Sequence, residues 1–304
     1  MTIARLNLAV VAFVSAICCA QINTQTVDSR KLTQLSGPYS GFTEDDVLGK
    51  IFDGYDPTTS SISNIPNSEN KPARVSILEA KPWRDASNVY LIVLTNLGDT
   101  QMLCGNCAMY TPLAVLKTDG TSLSLFARQD LPQRSSVDDN EGVSDTSGSL
   151  SHGGHESIAL DLAPYRLTDH EMLFGVRIEH VWLAAPFYQT RLFLFRVQDG
   201  RITKVWEEPV VDRDYPNAHK DGSQIILKTT SAVSMIRGNE PFYELVVKKA
   251  TVKCMENEDG DCDLKGGPVK PFKTQTEVWR FDGEKFNLVP QEASKPVLLK
   301  GNPA

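Results

Sequence analysis

Beyond its first twenty residues the chain has no apolar run of the roughly 20 residues that a helix needs to cross a bilayer, so no integral membrane span is expected in the mature chain. It also lacks a clustered basic surface. Lys and Arg number 31 against 38 Asp and Glu, a net charge of −7, and the basic residues gather no further than Lys248-Lys249. Phosphate backbones bind to concentrated positive charge, so no nucleic-acid partner is expected. There is no nucleophile elbow, no phosphate-cradling glycine loop and no dinucleotide fingerprint. Between Ala73 and Val289 no long amphipathic helix occurs, which excludes an alternating helix and strand architecture. What remains is ample for a core: 41% of residues are hydrophobic, enough for one large domain or two small ones.

The first twenty residues read as a secretory leader. Arg5 supplies the basic start, an apolar stretch runs from Leu8 to Ile17, and Cys18-Cys19-Ala20 offers small residues to a peptidase. Cleavage after Ala20 would send the mature chain to a periplasm or the extracellular space. Residues 21–42 are polar with no hydrophobic period and are expected to be flexible. Order is expected from Thr43, where Thr43-Glu44-Asp45-Asp46 places a hydroxyl cap and early acids ahead of Val47, Leu48, Ile51 and Phe52. That spacing predicts one short helix ending near Gly54. The stretch from Asp56 to Pro72 is rich in Ser, Asn and Pro and reads as a loop.

From Ala73 the pattern changes to strands, predicted at 75–78, 89–94, 113–116, 123–126, 158–162, 173–178, 192–197, 225–227, 243–247 and 277–281. The expected fold is all-β over residues 43–290, built from antiparallel hairpins or a meander, propeller-like or as a multi-sheet sandwich. Residues 291–304 are expected to form a C-terminal tail. Asp-Gly turns at Asp119-Gly120, Asp199-Gly200 and Asp282-Gly283 each sit between apolar segments, and Asp-Gly is a strong hairpin signal. The last two match best in their flanking residues and suggest three units of about four strands. Residues 134–157, with Ser, Gly, Asp and Asn but little bulk, read as a mobile insertion.

Four cysteines follow the leader, in two close pairs: Cys104 with Cys107, and Cys254 with Cys262. Such pairs suit an oxidising compartment and read first as structural disulfides. The segment Cys104-Gly105-Asn106-Cys107 with Pro112 resembles the thioredoxin family, whose Cys-Gly-Pro-Cys is followed by a proline at the same distance. The resemblance implies thiol-disulfide exchange in which Cys104 attacks and Cys107 resolves. It is confined to the segment from Leu103 to Pro112. Asn106 replaces the motif proline and Leu103 the usual aromatic, and the chain soon reaches Asp119-Gly120 and a strand rather than a long helix.

Other groupings carry weaker chemistry. His152 and His155, with Glu156, could hold a transition metal if His180 or Asp161 came close, and a metal-dependent hydrolase would follow from that. Asn257, Asp259, Asp261 and Asp263 alternate around Gly260 as calcium ligands do, although Met255 stands where the first ligand would fall. Asp212-Arg213-Asp214, with His219 and Asp221 nearby, reads as a polar loop after the second hairpin in which two carboxylates could serve at a glycosidic bond. The segment from Trp182 to Tyr188 could present an aromatic platform or plug a core. The sequence predicts an exported, non-catalytic binding or structural module with a protein or glycan ligand and no cofactor. Thiol-disulfide exchange and metal-dependent hydrolysis are its alternatives.

Overall fold

The computed structural model describes residues 35, 37–66, 72–85, 88–98, 109–129, 150–152, 157–182, 187–218, 224–238, 241–255, 262 and 271–290. The sequence of elements opens with a 3-10 turn (Gly37–Tyr39) and helix α1 (Glu44–Ile51). Strands follow as β1 (Tyr55–Asp56), β2 (Ser61–Pro66), β3 (Pro72–Asp85), β4 (Asn88–Gly98), β5 (Met109–Thr111), β6 (Leu113–Thr118), β7 (Leu123–Arg128) and β8 (Leu150–His152). The second half holds β9 (Ser157–Arg166), β10 (Met172–Trp182), β11 (Phe187–Gln198), β12 (Arg201–Ala218), β13 (Gln224–Arg237), β14 (Tyr243–Met255), β15 (Lys273–Phe281) and β16 (Phe286–Leu288). The protein is therefore all-β with one short helix, and all ten predicted strands lie within observed ones.

Helix α1 forms where the cap signal placed it. The Thr43 hydroxyl accepts from the Asp46 backbone N–H at 3.2 Å, and the Asp46 carboxylate accepts from the Thr43 N–H at 2.7 Å. Each bond satisfies a donor that the first turn leaves orphaned. Val47, Leu48 and Ile51 are buried. The C-terminal end is held by Arg128, whose Nη1 donates to Ile51 O at 2.7 Å.

The strands are linked in one hydrogen-bonded network in the order β1-β2-β3-β4-β6-β7-β12-β13-β14-β15-β16, with β9, β10 and β11 branching from β12 and β5 and β8 from β4. Among the described residues, pairing is antiparallel except for a single parallel pair, Arg201 with Arg128, where β12 meets β7. The path folds over itself so that some strands bury both faces. Leu91 and Val93 of β4, with Ala114 and Leu116 of β6, face α1 in a first core. Their neighbours Ile92, Leu94, Leu113 and Val115 face Phe174, Val176, Phe193 and Phe195 in a second. Leu173, Leu192 and Leu194 then turn the other way, toward Leu245, Val247, Phe281 and Phe286 in a third. This explains the unbroken apolar runs Leu91-Ile92-Val93-Leu94 and Leu192-Phe193-Leu194-Phe195: a strand covered on both sides has no polar face to alternate with. Each such side chain contributes about 1.5–3 kcal/mol by leaving water.

Several boundaries differ from those read in the sequence. Packing starts ahead of Thr43, because Leu35 is buried and Tyr39 is fully buried in the first core. The polar gap after Asp56 contains β2, whose Ile62 is 1% exposed and pairs with Ala73. Within the insertion at 134–157, Leu150–His152 pairs with β5; residues 134–149 lie outside the described residues. Asp212-Arg213-Asp214 is strand, not loop, since β12 continues from its pairing with β11 into a pairing with β13.

The three Asp-Gly turns all join adjacent strands, but they are of two kinds. Asp199-Gly200 is a two-residue connection with φ of 51° and 76°, the left-handed pair of a type I′ turn. Asp119-Gly120 and Asp282-Gly283 begin four-residue connections in which the carboxylate accepts two backbone N–H groups, from Thr121 and Ser122 or from Glu284 and Lys285. The turns that match best in flanking sequence are thus not the pair that match in geometry.

Candidate functional site: a polar groove on strands β12 to β15

The rows of β13, β14 and β15 align three side chains abreast, and one face of them changes character along its length. Its inner rows are Met235, Leu245 and Trp279, then Val233, Val247 and Glu277. Its outer rows are Ser231, Lys249 and Gln275, then Thr229, Thr251 and Lys273. Residues two apart share a face of a strand, so an apolar wall of the third core becomes a hydroxyl- and amide-lined floor with no break in the sheet. Pro209 and Asp212 of β12 close the side, and the enclosed groove has a volume of about 230 Å³.

Lys249 organises the base of this groove. Its Nζ lies 2.9 Å from Glu277 Oε2 and 3.4 Å from Glu208 Oε2. Glu208 pairs with Leu192, and Glu277 with Val247, both residues of the third core, so the two carboxylates approach the ammonium from different strands. Burial works against the charged amine, but Glu277 and Glu208 outweigh it and hold the Lys249 pKa above the ordinary lysine range. Above this base the Thr229 and Thr251 hydroxyls lie 2.9 Å apart, the Ser231 hydroxyl donates to Pro209 O at 3.4 Å, and Gln275 Nε2 donates to Glu277 Oε1 at 2.9 Å. Gln189 Nε2 donates to Asp212 Oδ1 at 3.3 Å. The site is a set of donors and acceptors fixed on strands and braced by one another, an arrangement suited to holding a polar ligand.

Two tryptophans of the strands that flank the groove pack in the third core. Trp206 of β12 is 4% exposed and meets Trp279 of β15 edge to face, with ring centroids 6.0 Å apart. The slip in register between Leu194 and Phe195 puts both Val205 and Trp206 into the third core. Neither indole Nε1 has a hydrogen-bond partner among the described residues.

A larger concavity, about 400 Å³, lies where the 3-10 turn crosses β4 and β6 and is lined by Pro38, Asn88, Val89, Tyr90, Lys117 and Thr118. Its only charged group, Lys117, sits 5.3 Å over the Phe126 ring. It gathers fewer polar side chains than the groove, and the groove is the better candidate.

The residues singled out in the sequence are distributed as follows. Cys254 and Cys262 form a disulfide with Cα atoms 5.4 Å apart, packed on Ile226 and Val252. Cys104 and Cys107 lie outside the described residues, as do His155, Asn257, Asp259, Asp261, Asp263, His219 and Asp221. The backbone of His152 pairs with Met109 and that of His180 with Gln189. Asp161 is engaged by Arg177 Nε at 2.6 Å and the Tyr165 hydroxyl at 3.0 Å. Among the described residues no group of three His, Cys, Asp or Glu is placed to hold a metal. Asp212 alone of the proposed carboxylate pair lines the groove, while Asp214 is exposed. At the aromatic hairpin, Trp182 is opposite Phe187, and the Tyr188 ring lies 3.9 Å from the Arg213 guanidinium.

Sequence reasoning passed over Lys249, Thr229, Ser231, Thr251 and Gln275. Alternation along 229–235 and 245–251 could have found the first four, since each segment is polar at one end and apolar at the other on a single face. Compared with known proteins, the chain matches no family model, no curated protein and no solved structure.

Proposed function

We propose that the protein is an exported, non-catalytic binding module of the cell envelope or extracellular space, and that its ligand lies in the groove of β12 to β15. The observation that carries this reading is the Lys249 bridge to Glu208 and Glu277, which fixes the floor beneath a set of hydroxyl, amide and carboxylate groups. Side chains mounted on paired strands are held more firmly than side chains on loops, so a ligand there meets groups already in place. Export is supported by the Cys254–Cys262 disulfide, since such bonds persist in oxidising compartments, and by the basic, apolar and small-residue order of residues 1–20.

Backbone amide shifts of the full chain, followed while a panel of oligosaccharides and peptides is added, test the assignment. Binding is expected to move Thr229, Ser231, Thr251 and Gln275 first, and Thr251→Val is expected to weaken it about tenfold through loss of a paired hydroxyl. A ligand that binds without moving any of these four would place the site elsewhere.

A further inference from the structure

Opposite charges stand at the two ends of the groove. Asp212 of β12 pairs with Thr229, Thr229 with Thr251, and Thr251 with Lys273 of β15, so one row across four strands begins with a carboxylate and ends with an ammonium. All four residues line the groove. Two residues outward on the same face the order recurs, where Asp214 pairs with Leu227 and Leu227 with Lys253. β12 thus carries an acidic rail, β14 and β15 a basic one, and hydroxyls lie between. Lys249 belongs to neither rail, because Glu208 and Glu277 already hold it.

Elsewhere, opposite charges on adjacent strands pair directly, as Arg280 does with Glu244 at 2.6 Å and Arg191 with Glu207 at 2.7 Å. In the groove the two threonines keep the charges apart. Three strand spacings put the Cα atoms of Asp212 and Lys273 about 14 Å from each other. Among the described residues neither has an ion-pair partner, and Asp212 is steadied by Gln189 Nε2 at 3.3 Å.

Each end selects by sign. A ligand that is only cationic is drawn to Asp212 and repelled by Lys273, and one that is only anionic meets the reverse. A neutral ligand engages the hydroxyls and neither rail. A zwitterion satisfies both, its ammonium donating to Asp212 and its carboxylate accepting from Lys273. The floor between them suits amides. Thr229 and Thr251 share one hydrogen at 2.9 Å, so one hydroxyl keeps its hydrogen for a ligand, and Gln275 keeps a carbonyl and a second N–H beside its bond to Glu277. Peptide groups offer one donor and one acceptor each, and four extended residues at about 3.5 Å apiece span the row.

We infer that the groove binds a short peptide as a zwitterion, laid across the strands with its amino group at Asp212 and its carboxylate at Lys273. This rests on the groove being the ligand site and adds the class and direction of the ligand.

Tetraalanine, N-acetyl-tetraalanine, tetraalanine amide and N-acetyl-tetraalanine amide share one body and differ in their end charges. Tetraalanine is expected to move the Thr229, Thr251 and Gln275 amide signals of the full chain, and blocking either end is expected to weaken it about threefold, the scale of an exposed ion pair. Asp212→Asn should weaken tetraalanine by a similar factor and leave the N-acetyl form unchanged. Lys273→Gln should do the same and leave the amide form unchanged. If the doubly blocked peptide binds as tightly as tetraalanine, or maltohexaose moves these residues where tetraalanine does not, the groove is a binding site and the inferred class is wrong. If Asp212→Asn weakens the N-acetyl form as much as the free peptide, the inferred direction is wrong. If no form of tetraalanine moves the groove residues, the inference is overturned, while the binding assignment is decided by the wider panel of oligosaccharides and peptides. The four peptides compared on the wild-type chain keep the class readable even where a variant folds poorly.

Discussion

Lys249 Nζ lies 2.9 Å from Glu277 Oε2, and the same ammonium, 3.4 Å from Glu208 Oε2, keeps two half-buried carboxylates from facing each other uncompensated. Lys249→Met keeps the length of the stem and removes the charge. It is expected to cost about 2 kcal/mol at neutral pH, less than the 3–5 kcal/mol of a fully buried pair because water still reaches the groove. The triple variant with Glu208→Gln and Glu277→Gln is expected to recover most of the loss. Urea denaturation of the wild type, the single variant and the triple variant at pH 7 checks this.

Tyr39 ties the segment before α1 into the sheet, its hydroxyl donating to Val89 O at 3.0 Å and Leu116 O at 3.3 Å. Tyr39→Phe is expected to cost about 1 kcal/mol. Burial, aided by Tyr90, pushes the Tyr39 pKa up to about 12 from its ordinary 10.0. A native pKa above the unfolded one means that the contribution is complete below pH 10 and is lost as pH rises from 10 to 12. Tyr55 and Tyr188 are likewise pushed up to about 12, mainly by burial. The wild type should therefore lose stability over that window, and Tyr39→Phe should lose less. Denaturation midpoints at pH 8, 10 and 11.5 give the two slopes.

The fold was legible wherever burial was strong. Leu91 to Leu94, Leu113 to Leu116 and Leu192 to Phe195 have no polar interruption, and each became a central strand covered on both sides. The 18-residue β12 was not legible, because Glu207, Glu208, Pro209, Asp212 and Asp214 hide its period. Two register shifts in its pairing with β11 break the alternation further. Its polarity follows from its place, as it leaves β11 to pair with β13 and forms the groove's side. The site was hidden for a related reason. Lys249 reads as half of a solvated Lys248-Lys249 pair, and its two carboxylates come from positions 41 residues before it and 28 after it. Only pairing across strands brings Glu208, Lys249 and Glu277 together.

The two kinds of Asp-Gly turn should respond differently to substitution. Asp199 sits at φ 51° with Gly200 at 76°, so Gly200→Ala is expected to cost about 1–2 kcal/mol through a left-handed backbone with a Cβ. Asp199→Asn or Asp199→Gly should be nearly neutral, since either tolerates that region. At Asp119 and Asp282 the carboxylate itself is the tie. Backbone N–H groups of Thr121 and Ser122 hold the Asp119 pKa well below the usual carboxylate range, and those of Lys285 and Glu284 lower that of Asp282. Their support is present above the unfolded carboxylate pKa of about 4 and fades as pH falls. Asp119→Ala and Asp282→Ala should lower the melting midpoint at pH 7 and converge on the wild type in acid.

Gly175 leaves no room for a side chain. A Cβ there would stand 2.9 Å from Leu192 Cδ1 and 3.0 Å from Asp161 O, next to the irregularity in β9–β10 pairing between Leu173 and Gly175. Gly175→Ala is expected to cost about 1–3 kcal/mol by forcing neighbouring groups off their packing. Because Asp161 also receives Arg177 and Tyr165, the thermal midpoint should fall further in this variant than in Gly49→Ala, where the added Cβ meets only Tyr55 Cδ1 at 3.9 Å.

The Cys254–Cys262 disulfide closes a short stretch, the two residues being 8 apart in sequence. A loop of that size gives about 2.5 kcal/mol in the chain-entropy model. Its neighbours, Ile226 and Val252, form a small core separate from the three larger ones, at the end of the β13–β14 ladder where Ile226 pairs with Cys254. The double variant Cys254→Ala with Cys262→Ala is expected to lose roughly that energy and to open locally before it unfolds globally. Hydrogen exchange should quicken at Ile226, Leu227 and Lys253. The Leu245 and Val247 amides, whose side chains are fully buried in the third core, should keep their protection. Equal acceleration at both ends would mean that the bond stabilises the whole sheet rather than its tip. The Thr229–Thr251 hydroxyl pair lies two residues inward from Leu227 and Lys253 in the same register. Groove binding in the variant would therefore report how far inward the opening travels.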